Sequence, residues 1–382
     1  MNEASIKVAL VGVTGYGAVH FNHLSALADQ GLCDFAAAAV VNPEHPDAAA
    51  PLSWLRARGA TVYPTAEALF TAEAGRLDLV TLPVGIAAHE PLVKAALAAG
   101  ANVLVEKPAA GCTAAVDRMI EAERAAAPLR VFVGFQHMSA PEVRQIKKCI
   151  ASGVLGRPLR VVCTGVWPRG DAYYRRNSWA ARLTAPDGTP VRDSPANNAF
   201  AHYLNLGLFF ASTDPVMPAE ALSVEGALYR ARPEIETFDS CIVRFATDSG
   251  ASVTMALSHS SDECHNPRIR VECERGTALW NFDGSWSIEG VASGTTTPPH
   301  EAMFRAMLGF VRDGGGGEAN LCSLAMARAQ VRAVELLTEK LRVKTLQKSA
   351  VRRADGQWIV QGLPAFFDHI FETGDLLIPD WK

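Results

Sequence analysis

Short, mainly apolar runs alternate with amphipathic helical segments from Ile6 to Phe135. The runs cover residues 6–12, 36–42, 61–64, 78–83, 102–106 and 130–135. Strands that are apolar along their whole length belong to a parallel sheet that helices cover on both faces. The pattern therefore predicts an α/β domain of the Rossmann type, in which helices connect successive strands.

The pattern changes after a helical segment at residues 141–153. Alternating strand-like segments follow at 159–167, 240–247, 252–260, 268–274 and 277–282, with one helix around 197–211. Two helices near 301–313 and 323–344, separated by the run Gly314–Gly317, precede a tail with a hairpin signal at Asp355-Gly356. We expect a Rossmann domain over residues 1–138. An α+β domain with a large, open, mainly antiparallel sheet should cover residues 139–382, with a tail at 345–382.

Composition excludes several classes of protein. The formal net charge of −4 over 382 residues leaves no basic excess for nucleic acid. Apolar stretches fall well below the roughly 20 residues of a membrane span, and a strand beginning at Ile6 leaves no room for a secretory signal before it. The eight cysteines form no C-x-x-C pair, which argues against a zinc ribbon or a redox dithiol. We expect a cytoplasmic protein with reduced thiols.

The first apolar run leads into a glycine-rich turn, Gly12-Val13-Thr14-Gly15-Tyr16-Gly17. A strand, a glycine turn and a helix in this order let backbone amides approach a pyrophosphate. The match to G-x-G-x-x-G is imperfect, because Thr14 holds the position of the middle glycine. Its Cβ limits how closely a pyrophosphate can approach the backbone. The turn predicts a dinucleotide cofactor bound by Gly12, Thr14, Gly15, Tyr16 and Gly17.

The second strand is expected to end at Asn42. Dinucleotide-binding domains use an acid here to bind the adenosine ribose, and that acid also repels the 2′-phosphate of NADP. Asn42 can bind a hydroxyl but has no charge, and no Arg or Lys stands beside it. The cofactor is therefore NAD or NADP, with NAD only slightly favoured.

The fifth strand runs directly into Glu106-Lys107-Pro108. Ligands of doubly wound sheets bind at the carboxyl ends of the strands, which would place Lys107 beside the nicotinamide. A lysine there can bind a substrate hydroxyl and help to remove its proton as hydride leaves. Glu106 could pair with the ammonium or position it.

These motifs resemble those of the Gfo/Idh/MocA family of NAD(P)-dependent oxidoreductases, which act largely on sugars, cyclitols and glycosides. The resemblance rests on the glycine turn, on Thr81-Leu82-Pro83 with His89, on residues 106–108, on Gly134-Phe135-Gln136 and on residues 153–158. It implies that Lys107 is catalytic. It also implies that Pro83, His89, Glu106, Lys107 and Gln136 lie at the cofactor, and that the protein needs no metal.

The second half contains a matching segment, Asn198-Ala-Phe-Ala-His202-Tyr-Leu-Asn205. If it is helical, the three named residues lie on one face. The family pattern is similar to Asp-x-x-x-His-x-x-Asp, which implies that His202 is catalytic and that Asn198 orients the substrate or the histidine. Both acids are asparagine in this chain. An amide does not raise the basicity of a neighbouring histidine as a carboxylate does.

An aromatic and arginine-rich segment precedes this helix. Aromatic faces with Arg and Asn donors suit a polyhydroxylated substrate, although the same mixture fits an interface loop. The arginines also leave open an acidic or phosphorylated sugar. A metal site at His259 and His265 lacks a good geometric template, and we expect a loop at the mouth of the pocket instead. The expected substrate-binding residues are Trp167, Arg169, Tyr174, Arg176, Asn177, Trp179 and Asn205.

The sequence therefore predicts hydride transfer between nicotinamide and a carbinol of a sugar, a cyclitol or a related glycoside. Two alternatives remain. The enzyme could retain NAD and use transient oxidation for glycoside elimination or hydrolysis, or the chain could be a non-catalytic dinucleotide sensor. We expect a small-molecule substrate, with no nucleic acid or membrane as partner. The second face of the open sheet should pair with another subunit, which predicts a homodimer or homotetramer.

Overall fold

The computed structural model describes residues 5–297, 299–315 and 321–381, which form two compact units. The first unit combines the chain up to Ala110 with Ala114–Ser139 and Pro299–Ala327. The second combines Gly111–Thr113, Ala140–Pro298 and Arg328–Lys382. This differs from the contiguous division at residue 138, because a helix near residue 300 buries its apolar face in the core of the first unit. Residues 316 and 317 of the glycine run lie outside the described residues.

Strands and helices alternate along the first part of the chain. They are β1 Lys7–Val11, α1 Gly17–Asp29, β2 Asp34–Ala39, α2 Ala49–Ala57, β3 Thr61–Tyr63, α3 Ala66–Ala72, β4 Leu79–Leu82, α4 His89–Ala98, β5 Asn102–Val105, α5 Thr113–Ala125 and β6 Val131–Val133.

The remaining elements begin with a helix and continue mainly as strands. They are α6 Pro141–Ala151, β7 Pro158–Val166, α7 Asp171–Tyr174, α8 Ala201–Phe210, β8 Ala221–Arg230, β9 Ser240–Thr247, β10 Ser252–Ser258, β11 His265–Cys273, β12 Gly276–Asn281, β13 Ser285–Ile288, β14 Ala292–Thr295, α9 His300–Arg312, β15 Cys322–Ser323, α10 Leu324–Lys340, β16 Val343–Thr345, β17 Val351–Ala354, β18 Gln357–Val360 and α11 Leu363–Thr373.

The first unit contains a seven-stranded sheet in the order β15-β6-β5-β4-β1-β2-β3. Strands β1 to β6 run parallel, and β15 pairs antiparallel with β6. Leu10 on β1 and Leu104 on β5 are fully buried, together with Leu24 on α1 and Met307 on α9. This arrangement confirms the Rossmann fold predicted from the apolar strands. No helix in the described part of the chain is long and apolar enough to cross a membrane.

The second unit contains a nine-stranded sheet in the order β14-β13-β12-β11-β7-β10-β9-β8-β16. Pairs β7–β10 and β8–β16 run parallel, and the other described pairs run antiparallel. The large, mainly antiparallel sheet is therefore confirmed. Helix α8 is buried along its whole length and packs on β7, β10 and β11. On this face a Cβ at Gly165 of β7 would lie 2.8 Å from the Phe200 ring.

The opposite face of the nine-stranded sheet is covered by α11. Val162 and Val166 alternate with Gly165 along β7, so they point away from α8. They pack with Phe367 and Ile370 of α11 in one apolar cluster. From the sequence, a tail was expected at residues 345–382, and this face of the sheet was expected to pair with another subunit. That expectation is wrong for the part of the sheet under α11, because the chain's own C-terminal helix covers it.

Two boundaries matter for the site. Strand β2 ends at Ala39, so Asn42 lies three residues beyond the strand that it was expected to end. The helix expected at 197–211 begins only at Ala201, and a short 3₁₀ helix, Pro195–Asn197, precedes it. Asn198 has φ −130° and ψ −87° between the two, which is not helical.

Candidate active site

The glycine turn joins β1 to α1 in the first unit. Gly15 has φ +58°, in the left-handed region that favours glycine. At Gly17 a Cβ would lie 2.3 Å from the carbonyl oxygen of Gly12, so only glycine fits there without moving the turn. The Gly17 amide donates to the Thr14 carbonyl at 3.0 Å. This tight turn directly before a helix is the geometry expected for pyrophosphate binding.

Four of the expected cofactor residues follow neighbouring parallel strands of the same sheet. Gly12 follows β1, Pro83 follows β4, Lys107 lies two residues after β5, and Gln136 lies three residues after β6. Because β1, β4, β5 and β6 are consecutive in the sheet, the structure brings these residues together at its carboxyl edge. Asn42 follows β2 at this edge and is exposed.

Glu106 is buried at this edge and contacts α1. Its Oε1 lies 3.0 Å from Nε2 of His20, and its Oε2 accepts the backbone N–H of Lys107 at 3.1 Å. Burial alone would raise the pKa of Glu106, but the His20 hydrogen bond and the charges of His20 and Lys107 hold it below its usual range. The carboxylate thus fixes the backbone that carries Lys107.

His89 is buried and joins two loops. Its Nδ1 lies 2.9 Å from the carbonyl oxygen of Pro108, and its Nε2 lies 3.1 Å from that of Val84. Burial lowers the pKa of His89, although the three backbone carbonyls and Glu106 oppose this shift. A neutral imidazole carries one N–H, so His89 donates either from Nδ1 to the Pro108 carbonyl or from Nε2 to the Val84 carbonyl. His89 therefore connects the loop after β4 to the turn that follows Lys107, and a direct cofactor contact stays a prediction.

The residues at this edge fit a dinucleotide. The turn leaves no room for a Cβ at Gly17. Oε1 of Gln136 is buried and has no hydrogen-bond partner in the described part of the protein. A buried amide oxygen without a partner is unfavourable unless a ligand or water donates to it.

In the second unit, the segment after β7 packs arginines on aromatic rings. The Arg169 guanidinium lies 5.1 Å from the centre of the Tyr173 ring and 5.9 Å from that of Trp167. Arg176 lies 3.8 Å from Tyr173 and 5.3 Å from Trp179. Four of the expected substrate residues, Trp167, Arg169, Arg176 and Trp179, thus belong to one cluster around Tyr173.

Tyr174 and Asn177 adjoin this cluster: the Tyr174 ring lies 5.3 Å from the Tyr173 ring, and Oδ1 of Asn177 accepts the backbone N–H of Trp179 at 3.1 Å. They also line a polar cavity of about 270 Å³ together with Asp171, Arg182 and Arg232. The Arg232 guanidinium covers the Tyr174 ring at 4.5 Å. Six of the seven substrate residues expected from the sequence therefore adjoin one another, while the charged side chains of the cavity already pair with one another.

His202 and Asn205 lie on α8 and are both buried. Asn198 precedes the helix, so the single helical face expected for the three residues holds only for His202 and Asn205. The amide of Asn198 instead donates from Nδ2 to Oδ1 of Asp193 at 2.7 Å.

At this site, sequence reasoning missed one residue and misassigned another. Asp193 is the only acid between Asp187 and Asp214, and this isolation is the signal that could have identified it. His259 was assigned to a loop at the pocket mouth, but it is buried and stacks on Phe200 at 5.3 Å. Burial, with the charges of Arg169 and Arg176, lowers the pKa of His259 to about 3. Its Nδ1–H therefore donates to the Trp167 carbonyl at 2.8 Å.

The second histidine of that segment has its own partners. His265 lies 3.4 Å from Glu263 and 3.7 Å from Asp368. Across residues 5–297, 299–315 and 321–381, no three His, Cys, Asp or Glu side chains are arranged to hold a metal ion.

Comparisons with known proteins agree with this architecture. Residues 6–135 match the sequence profile of the Gfo/Idh/MocA oxidoreductase family with its NAD-binding Rossmann fold, and residues 143–279 match the family's C-terminal domain. Inositol 2-dehydrogenase of Streptomyces avermitilis is 32% identical over 277 residues, 71% of each chain. Inositol 2-dehydrogenase 4 of Saccharopolyspora erythraea is 29% identical over 241 residues. That match covers 61% of this chain and 64% of the relative, less than two-thirds of its length.

Solved structures share the fold at low identity. The WlbA dehydrogenase from Bordetella pertussis, in complex with NADH and UDP-GlcNAcA, is 20% identical with a TM-score of 0.71, over 88% of this chain and 96% of that one. A levoglucosan dehydrogenase in complex with NADH is 15% identical with a TM-score of 0.69, over the same shares of the two chains. The profiles and the Streptomyces relative together place this chain in the Gfo/Idh/MocA family of oxidoreductases.

Proposed function

We propose that the protein is an NAD(P)-dependent dehydrogenase that acts on a carbinol of a sugar or cyclitol. The observation that carries this proposal is the position of Lys107 at the carboxyl edge of β5, with its backbone amide bound by the buried Glu106. The inositol 2-dehydrogenases among the relatives support a polyhydroxylated ring as substrate. The cytoplasmic location and the homo-oligomer expected from the sequence remain predictions.

Each group has a defined part in this proposal. The glycine turn and Gln136 hold the dinucleotide, whose nicotinamide supplies the hydride acceptor or donor. We assign the hydroxyl proton to Lys107 and His202 as acid–base groups: in the oxidation direction a neutral Lys107 amine takes the proton, and in reduction its ammonium returns it. Asn198 accepts a hydrogen bond from a substrate hydroxyl, while Trp167, Arg169, Arg176 and Trp179 contact the ring and its other oxygens.

The test is turnover of a substrate panel by the full chain. Inositols, hexoses, anhydrosugars and nucleotide sugars are each incubated with NAD or NADP, and the absorbance of the reduced cofactor is followed. We expect Lys107→Met to lower kcat by about 10²- to 10⁴-fold, the usual contribution of general acid–base catalysis. Its dinucleotide affinity, measured by calorimetry, should stay nearly unchanged.

The same experiment separates the alternatives. Substrate consumption without release of reduced cofactor would favour the retained-NAD mechanism. Dinucleotide binding without turnover of any substrate would favour a sensor, and wild-type turnover in Lys107→Met would overturn the assigned role of Lys107.

The choice between NAD and NADP is tested at residue 42. Asn42→Asp should weaken NADP binding more than NAD binding, because a carboxylate repels the 2′-phosphate.

A further inference from the structure

Asp193 lies in the loop before α8 and is 2% exposed. Its carboxylate accepts three hydrogen bonds from separate parts of the second unit. Oδ2 accepts from Arg176 at 2.9 Å and from the backbone amide of Ala181 at 2.6 Å. Oδ1 accepts from Nδ2 of Asn198 at 2.7 Å. A buried carboxylate with this many donors is held in one orientation.

The Asp193 contact determines how Asn198 can act. The amide has two donor hydrogens on Nδ2 and acceptor lone pairs only on Oδ1. Because Nδ2 donates to Asp193, the amide cannot rotate by 180° without placing Oδ1 against the carboxylate. Asn198 is therefore fixed with its oxygen directed away from Asp193, as an acceptor for a donor such as a hydroxyl group.

This contact also gives a reason for the asparagine. Position 198 matches the first acid of the family pattern. An aspartate there would bring two carboxylates to about the hydrogen-bond distance that Asn198 now spans, and two such groups cannot both ionise readily. An asparagine keeps an acceptor oxygen at position 198 and supplies the donor that Asp193 requires.

The charge of Asp193 is shared with Arg176, which packs on Tyr173 at 3.8 Å. The carboxylate thus joins the aromatic and arginine cluster to Asn198. Because Arg176 balances the negative charge, the effect of Asp193 on the site is mainly orientation of its neighbours.

We propose that Asp193 is the positioning residue for Asn198. It holds the amide so that Oδ1 accepts from the substrate hydroxyl, in place of the carboxylate that the family pattern has at position 198. This inference rests on the proposed function for its catalytic consequence, although the pairing of the two side chains can be tested without a substrate.

The first test exchanges the two residues and measures thermal stability against pH in the full chain. In Asn198→Asp one of the two facing carboxyls should have a raised pKa. The melting temperature relative to wild type should therefore fall as the pH rises above about 4, the ordinary aspartate value. The double variant D193N/N198D has one carboxylate again and should recover most of the loss at pH 8. A melting temperature difference that is the same at pH 5 and pH 8 would overturn the proposal.

The second test measures kinetics on the substrate found in the panel. Asp193→Asn should lower kcat/KM by about tenfold, the size of one misdirected hydrogen bond. D193N/N198D should recover activity, and Asn198→Asp alone should introduce a new pH dependence. Asp187→Asn, in the same loop, is the matched control and should behave like wild type, as should dinucleotide affinity in every variant. Unchanged kinetics and pH profile in both single variants would overturn the positioning role.

The two tests fail separately. If wild type turns over no substrate, the proposed function fails, while the pH dependence of the exchange variants still decides whether Asp193 fixes Asn198. If turnover is found but the exchange does not rescue it, the positioning role fails and the proposed function stands.

Discussion

Oε1 of Glu106 lies 3.0 Å from Nε2 of His20, in a space that exists because residue 134 is a glycine. A Cβ at Gly134 would lie 2.4 Å from the same Oε1. The backbone at Gly134 is not in the left-handed region, and the three atoms nearest to an alanine Cβ there all belong to the Glu106 carboxylate. The position of Glu106, and through it the backbone of Lys107, depends on this absence of a side chain.

Gly134→Ala should therefore displace Glu106, lower the melting temperature and reduce turnover. Gly309→Ala is the matched control, because its Cβ would meet only the end of Arg312 at 3.9 Å, and alanine is the better helix former. Melting curves and the turnover assay measure both variants. Equal behaviour of the two would contradict the role assigned to Gly134.

Glu106→Gln should change how stability depends on pH. The pKa of Glu106 is lowered in the folded protein, so its ionised form stabilises the fold above the ordinary value of 4.5, and this stabilisation is lost as the pH falls through the lower folded value. The variant lacks this contribution, worth about 1.5–3 kcal/mol for a hydrogen bond to a charged group. Its deficit in melting temperature should be largest near neutral pH and shrink below about pH 4.5. Parallel curves from pH 3.5 to 7 would contradict the prediction.

Lys147 is a second buried group whose lowered pKa makes stability depend on pH, but here burial favours the neutral form. Its ammonium is buried and donates to the carbonyls of Phe209 at 2.5 Å and Ser212 at 2.7 Å. Burial lowers its pKa to about 7, against an ordinary 10.5, and the charge of Asp214 opposes the shift only in part. The unfolded chain then binds more protons between these values, so the contribution of Lys147 to stability rises with pH. Wild type should gain stability over Lys147→Met from pH 7 to 9.5, and the exposed Lys148→Met on the same helix is the matched control for loss of a lysine.

Arg232 should act on substrate affinity. It is 4% exposed, lies 2.6 Å from Asp171 and donates to the Gly356 carbonyl at 3.0 Å, which ties the β17–β18 hairpin to α7. Arg232→Met should loosen the segment that carries Arg169, Tyr174 and Arg176. We expect KM to rise while kcat changes little, since the proposed function gives none of these residues a part in transferring the hydroxyl proton. Arg353→Met removes a more exposed partner of Asp171 and should have little effect on either constant.

Local patterns were sufficient to predict the six parallel strands of the first unit. The apolar runs gave six parallel strands within a few residues of their bounds, and their carboxyl ends brought Gly12, Pro83, Lys107 and Gln136 to one edge. Asn42 was placed at the end of β2 because the apolar run continues to Val41. The strand stops at Ala39, where its pairing with β3 ends at Tyr63.

Longer-range contacts could not be read from periodicity. The Asp193–Asn198 hydrogen bond depends on an irregular loop, and Asn198 leaves the helix because the chain forms a separate 3₁₀ turn at Pro195–Asn197. Helix α9 returns to the first unit through burial of residues such as Phe304, which is visible only in three dimensions. Helix α11 was not predicted within the tail, although Leu363, Phe367 and Ile370 have helical spacing, and the open sheet face was assigned separately to a second subunit.

Helix α11 is also held by arginines on the sheet. The arginines extend from β11 and β9 toward the carboxyl end of the helix: Arg270 donates to the Phe371 carbonyl at 2.6 Å, and Arg244 donates to that of Gly374 at 3.1 Å. Arg268 lies 3.9 Å from the Phe371 ring. Cations at a helix C-terminus are favourable, so the polar and apolar parts of this face both suit the helix.

The sheet face under α11 should contribute to stability and prevent association. Phe367 is 1% exposed, and Phe367→Ala should lower the free energy of unfolding by about 3–5 kcal/mol. A chain that ends after Leu346 should expose Val162, Ile242 and Ala256, and should associate or aggregate at concentrations where the full chain has a constant mass by light scattering. A chain that ends after Thr373 keeps the helix and is the matched control, expected to retain the mass of the full chain. If the chain ending at Leu346 keeps the mass and melting temperature of the full protein, α11 does not protect this face, and any homo-oligomer could form through it.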